Sequence, residues 1–310
     1  MPQPARHPTS PPKIAGSVLS QPERVLYPEQ GTTKRQLAEY FEEVADHILP
    51  HITNRPLSLL RCPRGREAAC FFQRRLDHES VPGLERVAIA EPDGGSSDVV
   101  VVRDLAGLIG LAQLGVLEIH PWGATVTDPD HPDRLVFDLD PGEGTVWPDV
   151  VHGARWLHER LAALGLQSFV RTTGGKGLHV VVPIAPTRDW ETVRAFAHAV
   201  ARELAAEYPL RYVDTPRRQA RVDKVFVDYL RNARGASAIA SYSPRARPHA
   251  PVATPLFWPE LSQRVGSNEF TIGTVPDRLA ALRAAPWTGF FEVDQPLTNA
   301  MLAEVGAIGH

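Results

Sequence analysis

Apolar residues recur along this chain in two periods, and the two alternate. Leu37, Phe41, Val44 and Ile48 fall at helical spacing, and Thr33 followed by Gln36 forms a capping box ahead of them. Val150, Ala154, Leu157, Leu161 and Leu164 make a second stripe after Pro148, a residue suited to a first helical turn, and Gly165 ends it. A third stripe, Val193, Phe196, Val200 and Leu204, starts near Asp189. Between them lie apolar runs of strand length: Leu135–Leu139, Ser168–Arg171, Leu178–Ile184 and Val225–Tyr229. The order strand, helix, strand, strand, helix, strand predicts an α+β fold, with α/β layers in which helices pack on a mixed sheet.

Proline marks where this regularity stops. Five prolines in the first 12 residues predict a flexible tail over 1–16. The stretch SPRARPHAPVATPLFWPEL cannot form regular helix or central strand, because proline lacks the amide proton both need, so it reads as an extended segment wrapping a surface. With 43% hydrophobic residues over 310 positions, the chain can bury a sizeable core. Its longest apolar run, Leu105 to Leu117, is 13 residues, too short for a membrane span. The N-terminus has no apolar secretory core, which sets a cytoplasmic expectation. Cys62 and Cys70 are too few for a four-cysteine zinc site, and nothing requires a disulfide.

A net charge of −3 argues, taken alone, against a nucleic-acid binder. The average hides an asymmetry: residues 211–247 hold nine Lys/Arg and three Asp, a local +6, which leaves −9 on the rest. Such a patch can hold a polyanion, or be a solvated basic surface.

Candidate chemistry sits in three segments. In RLVFDLDPGEG, strand alternation puts Leu135, Phe137 and Leu139 on one face, with Asp138 and Asp140 together on the other. Two carboxylates so placed repel unless something positive lies between them, and oxygen donors suit Mg²⁺ or Mn²⁺; an Asp-Pro-Gly turn also carries carboxylates with no metal. RTTGGKGLHVVVPI reads as a strand-turn-strand hairpin whose glycines let backbone amides approach an anion, with Lys176 and His179 as further donors. Lys176 is followed by Gly177 and a strand, so this is no Walker A loop. In KVFVDYLRN, Asp228 lies in an apolar run where a carboxylate is costly unless paired, either with Arg231 or with a metal. Arg245 and Arg247 are spaced to face one way from an extended chain, a phosphate-clamp arrangement. His120 ends an apolar segment. Phe71 and Phe72 are adjacent aromatics, one expected in the core and the other free to stack on a base.

The ordered motifs IHPWG, FDLDPGEG, TTGGKGLHV, KVFVDYLRN and SYSPRARP resemble the polymerase domain of bacterial DNA ligase D, a member of the archaeo-eukaryotic primase superfamily that serves non-homologous end joining. ERVLYPEQGTTK and PLFWPEL are in the same style. The resemblance implies a primase-type fold, with mixed and antiparallel central sheets flanked by helices, as one catalytic domain over 17–300 followed by a C-terminal tail, 301–310. It implies that Asp138, Asp140 and Asp228 are metal-binding catalytic carboxylates. It also implies that Phe72, His120, Thr173, Lys176, His179, Arg231, Arg245 and Arg247 line the nucleotide pocket, and that Arg24 and Lys34 hold a DNA 5′-phosphate. Thr173 stands where the family often has Ser, and Arg24 where Lys is frequent. Arg61 lies near a sugar-contacting position.

The implied activity is template-dependent nucleotidyl transfer that extends primer 3′ ends and fills short gaps in double-strand break repair. Two Mn²⁺ (or Mg²⁺) ions per site, NTP or dNTP substrates and a ribonucleotide preference go with it. The implied partners are gapped or broken duplex DNA bearing a 5′-phosphate, Ku and a DNA ligase, in a cytoplasmic, nucleoid-associated setting with no membrane. Two alternatives stand beside this reading. A haloacid-dehalogenase-like phosphatase also uses Asp-x-Asp, but Pro141 and the mid-chain position depart from that pattern. A non-catalytic DNA-end-binding module would gain nothing from three carboxylates near phosphate.

Overall fold

The computed structural model describes residues 13–14, 16–75 and 81–307. Two short antiparallel pairs, β1 (Lys13–Ile14) with β2 (Ser17–Val18) and β3 (Val25–Tyr27) with β4 (Thr32–Thr33), lead into α1 (Lys34–Glu43). The capping box closes as expected: Gln36 N donates to Thr33 Oγ1 at 3.3 Å and Thr33 N donates to Gln36 Oε1 at 2.9 Å. The first stripe spans two helices rather than one, because the chain breaks at Val44 and resumes as α2 (Ala45–Ile52). Leu37, Phe41, Val44 and Ile48 all stay fully buried across the break.

The N-terminal layer continues with β5 (Leu57–Arg61), β6 (Phe71–Gln73), β7 (Leu84–Ala90), β8 (Ser96–Val102), α3 (Leu105–Gln113) and β9 (Val116–Pro121). Its sheet runs β6-β5-β8-β7, with β9 also on β5. Helices α1, α2 and α3 share one core with Leu57, Leu59, Val100 and Ile119 from this sheet.

The second layer holds β10 (Arg134–Pro141), α4 (Trp147–Ala163), β11 (Phe169–Thr172), β12 (Leu178–Pro183), α5 (Trp190–Glu207), β13 (Tyr212–Val213), β14 (Val225–Asp228) and β15 (Pro255–Leu256). The sheet order is β13-β14-β10-β12-β11-β15, antiparallel except for β13 on β14. The proline-rich stretch supplies only the two-residue edge strand β15, as the missing amide protons require. Helices α6 (Val275–Ala281) and α7 (Asn299–Glu304) follow.

Alternation sorts this sheet into two chemistries. Leu135, Phe137, Leu139, Val180, Val182 and Val227 face α4 and α5 in one buried cluster. The opposite parity, with Asp138, Asp140 and His179, opens onto a cavity.

Two expectations need correction. The C-terminal tail, expected at 301–310, packs at least to residue 307: Leu302 and Val305 bury in the same core as Leu139, because α7 presents them on one face. Cys62 and Cys70 are joined as a disulfide. The hairpin register explains the pairing: Arg61 lies opposite Phe71, so the next positions outward, 62 and 70, face each other with Cα atoms 4.4 Å apart. Of the expected N-terminal tail, residues 1–12 and 15 lie outside the described residues, while Ile14 is buried in the core. Among the described residues no helix is long and apolar enough to cross a membrane.

Candidate active site

Four side chains form a row straight across the second sheet. Asp228 on β14 is the register partner of Asp138 on β10, Asp138 is the partner of His179 on β12, and His179 is the partner of Arg171 on β11. Arg171 donates to His179 Nδ1 from Nη2 (3.0 Å) and Nε (3.3 Å). A guanidinium has no acceptor, so Nδ1 accepts and the neutral ring carries its proton on Nε2, which lies 3.4 Å from Asp138 Oδ1. Burial holds His179 down at about 4, with Arg171 adding to the effect and Asp138 opposing it, so the ring is neutral near pH 7.

The carboxylates are unequal. Burial raises Asp138, but His179 and Arg231 outweigh it and hold this carboxyl below the usual range. Asp228 is raised to about 6 by burial, with Arg231 opposing and the facing charge of Asp138 adding to it. Arg231 reaches both: its Nη2 is 3.2 Å from Asp138 Oδ2 and its Nε 3.4 Å from Asp228 Oδ2. Asp140, two residues along β10 on the same face, pairs with Arg221, whose guanidinium also lies over the Phe226 ring. Among the described residues no three His, Cys, Asp or Glu side chains converge as a formed metal cage. The donor set nonetheless fits a hard cation. It is all oxygen, two of its carboxylates face each other, and the raised Asp228 is the strained group that a positive ion between them relieves.

A cavity of about 230 Å³ opens beside this row, lined by Asp138, Asp140, Lys176, His179, Arg245 and Arg247 among others. Its floor is the expected turn, 173–177. Gly177 is obligatory there, because a Cβ would sit 2.0 Å from Leu139 O. Gly174 adopts φ +63°, the left-handed region that glycine enters freely. One detail differs from expectation. The Thr173 hydroxyl donates to Gly177 O (3.0 Å) and accepts from Gly175 N (3.2 Å) and Gly177 N (3.3 Å). Those amides organise the turn itself, while the exposed Lys176 and the two arginines are among the cationic side chains that line the cavity. Arg245 Nη1 donates to Thr173 O at 3.0 Å, tying the 244–247 loop to this turn.

His120 lines the same cavity, and its ring meets Phe72 edge-on at 5.7 Å. The expectation that one of Phe71 and Phe72 is core fails: they are 47% and 62% exposed. Strand β6 is an edge strand three residues long, and only Gln73 at its end is buried; Phe71 instead lies under the Arg61 guanidinium at 5.5 Å. Sequence reasoning also missed Glu118, Arg171 and Arg221. Only Glu118, two residues before His120 and so on the same strand face, left a local signal.

Arg24 and Lys34 do not reach this cavity. They line a second one with Ser20, Gln21, Arg61 and Gln113. Lys34 is buried, its ammonium donating to Ser20 O (3.0 Å) and Gln113 O (3.1 Å), and burial followed by the Arg24 charge lowers its pKa. Arg24 donates to Pro63 O at 2.5 Å.

Comparison with known proteins identifies the family. The family model described as LigD, primase-polymerase domain, matches residues 33–287. The multifunctional non-homologous end joining protein LigD of Pseudomonas aeruginosa is 36% identical over 293 residues, covering 94% of this chain and 35% of that protein. The bifunctional LigD of Bacillus subtilis is 28% identical over 279 residues, 89% of this chain and 44% of its own length. The chain therefore spans less than half of each relative. Among solved structures, the polymerase domain from Mycobacterium tuberculosis ligase D in complex with DNA superposes with a TM-score of 0.79 at 32% identity, covering 85% of this chain and 94% of that one. With a family model over most of its length and a solved domain matching at that level, this chain belongs to the LigD primase-polymerase domain family.

Proposed function

We propose that this chain is a template-dependent polymerase that extends primer 3′ ends and fills short gaps at DNA double-strand breaks during non-homologous end joining. Membership of the family makes it a metal-dependent nucleotidyltransferase that uses nucleoside triphosphates. One observation carries the finer reading: Asp138, whose register partner is Asp228, lines with Asp140 a cavity that Lys176, Arg245 and Arg247 also line. Carboxylates and cations lining one cavity match a metal–triphosphate substrate.

In this reading Asp138, Asp140 and Asp228 hold the divalent cations, two per site and Mn²⁺ or Mg²⁺ by donor chemistry; when bound, these neutralise phosphate oxygens and make the primer's 3′-hydroxyl more acidic. Lys176, Arg245 and Arg247 hold the triphosphate. His179, neutral with Nε2–H forward, adds a donor without adding charge. The 3′-hydroxyl gives up its proton to solvent, its oxygen forms a bond to the α-phosphorus while the bond from that phosphorus to the α,β-bridging oxygen breaks, and pyrophosphate leaves. Arg231 pairs with both Asp138 and Asp228, and its guanidinium would be available to phosphate were those carboxylates to hold a cation instead. Thr173 shapes the turn, while Phe72 and His120 border the base and sugar. Arg24 and Lys34, in their separate cavity, hold the downstream 5′-phosphate. The ribonucleotide preference, and Ku and a DNA ligase as partners, follow from the family resemblance.

Primer extension on a short-gapped duplex tests this reading, with Mn²⁺ against Mg²⁺, ribonucleotides against deoxyribonucleotides, and a 5′-phosphate against a 5′-hydroxyl downstream. The reading expects extension that is fastest with Mn²⁺, ribonucleotides and the phosphate. No extension in any combination, with DNA still bound, contradicts it.

A further inference from the structure

Glu118 is a buried acid that the proposed chemistry does not use. It lies on β9, in the N-terminal sheet, with its side chain 6% exposed. Oε2 is 2.8 Å from His120 Nε2. Oε1 accepts from Ala246 N at 2.9 Å and lies 3.1 Å from Arg245 Nε. A carboxylate offers only acceptors, so His120 Nε2 is the donor. Every partner belongs to the wall of the nucleotide cavity or its loop.

These contacts join three pieces of chain that meet nowhere in sequence. His120 arrives on β9, Arg245 and Ala246 on the 244–247 loop between β14 and β15, and Arg245 passes the connection to the turn through Thr173 O at 3.0 Å. A buried carboxylate is costly unless well bonded, and here its bonds all go to the cavity's own residues. Its charge also offsets that of Arg245, which otherwise stands unrelieved beside Arg247 and Lys176.

We propose that Glu118 is a positioning residue for nucleotide binding: it clamps His120 and Arg245 across the two layers and so assembles the triphosphate-binding wall of the cavity. Burial alone raises this carboxyl, yet the His120 hydrogen bond and the Arg245 charge bring it to about 2, consistent with a permanently ionised clamp. Glu118 touches neither carboxylate of the Asp138–Asp228 pair, so its loss acts on nucleotide affinity before it acts on the chemical step.

The inference rests on the polymerase reading, and the test separates the two. Extension kinetics of the parent chain come first, since a parent that extends nothing sinks the function reading itself. With an active parent, Glu118→Gln keeps the shape and one acceptor but removes the charge. The expected result is a KM for the nucleoside triphosphate raised about tenfold or more, kcat within about threefold of the parent, and unchanged affinity for 5′-phosphorylated gapped DNA. Arg245→Gln gives a similar loss, and the double variant is no worse than the poorer single, because both break one clamp. A parent-like KM in Glu118→Gln overturns the inference. So does additivity in the double variant, or a joint loss of kcat, DNA affinity and thermal midpoint, which marks a merely structural role.

Discussion

Asp228 lies directly across the antiparallel pair from Asp138, and a single guanidinium, Arg231, bridges the two. Like charges at facing positions destabilise a sheet unless countered. Here the site is built on that repulsion, since whatever positive group stands between the carboxylates is held by both.

In the proposed reading, proton and cation compete for Asp228. Its carboxyl is raised to about 6 by burial, against an ordinary value of 3.8, so the folded chain keeps a proton that the unfolded chain has already lost between those two values. Stability therefore falls as pH rises through that window, by this group alone, and cation affinity rises. Calorimetric titration with Mn²⁺ should show affinity weakening on the order of tenfold per pH unit below about 6. Asp228→Asn should flatten the profile; an unchanged profile in that variant assigns the proton elsewhere.

Arg171 fixes which way His179 presents its proton. Arg171→Met leaves Nδ1 without its donor and frees the ring to adopt the other tautomer. Extension rate should drop about 10- to 100-fold, as expected when a site group loses its alignment. Arg171→Lys, which retains a donor, should lose less. Full activity in the Met variant would show that the tautomer does not matter.

Gly177 lets the turn lie against β10. In Gly177→Ala the new methyl meets Leu139 O at 2.0 Å, so the turn must lift away. A destabilisation of about 1–3 kcal/mol is expected, with a higher KM for nucleotide as Lys176 moves off. Thermal melting and extension kinetics check the two effects separately.

The Cys62–Cys70 bond closes the loop between β5 and β6. Closing so short a loop should stabilise the chain by about 2–3 kcal/mol, lowering the melting midpoint by several degrees on reduction. Equal midpoints with and without reductant would contradict a stabilising role.

Much of this site was legible because strand parity is a local property. RLVFDLDP reads as apolar on one face and acidic on the other, and β10 divides that way. The capping box at Thr33 and Gln36 placed the start of α1, though not the break at Val44, which no residue pattern marks. What could not be read is register between distant strands. Nothing in the spacing of Asp138, His179, Arg171 and Asp228 says that they stand in one row. Glu118 is five residues past the end of α3 yet bonds to a loop more than a hundred positions later. Phe71 defied the core expectation because alternation predicts burial only where a sheet face is covered, and on β6 that cover reaches only Gln73.

The most direct test is primer extension by Asp138→Asn and Asp228→Asn beside the parent, on a short-gapped duplex with Mn²⁺, with DNA binding measured in the same samples. These near-isosteric changes remove charge while keeping shape. The account predicts that the parent extends, that both variants lose at least about a thousandfold in rate, and that all three bind DNA alike. Variants that extend like the parent would contradict a catalytic centre at the Asp138–Asp228 pair.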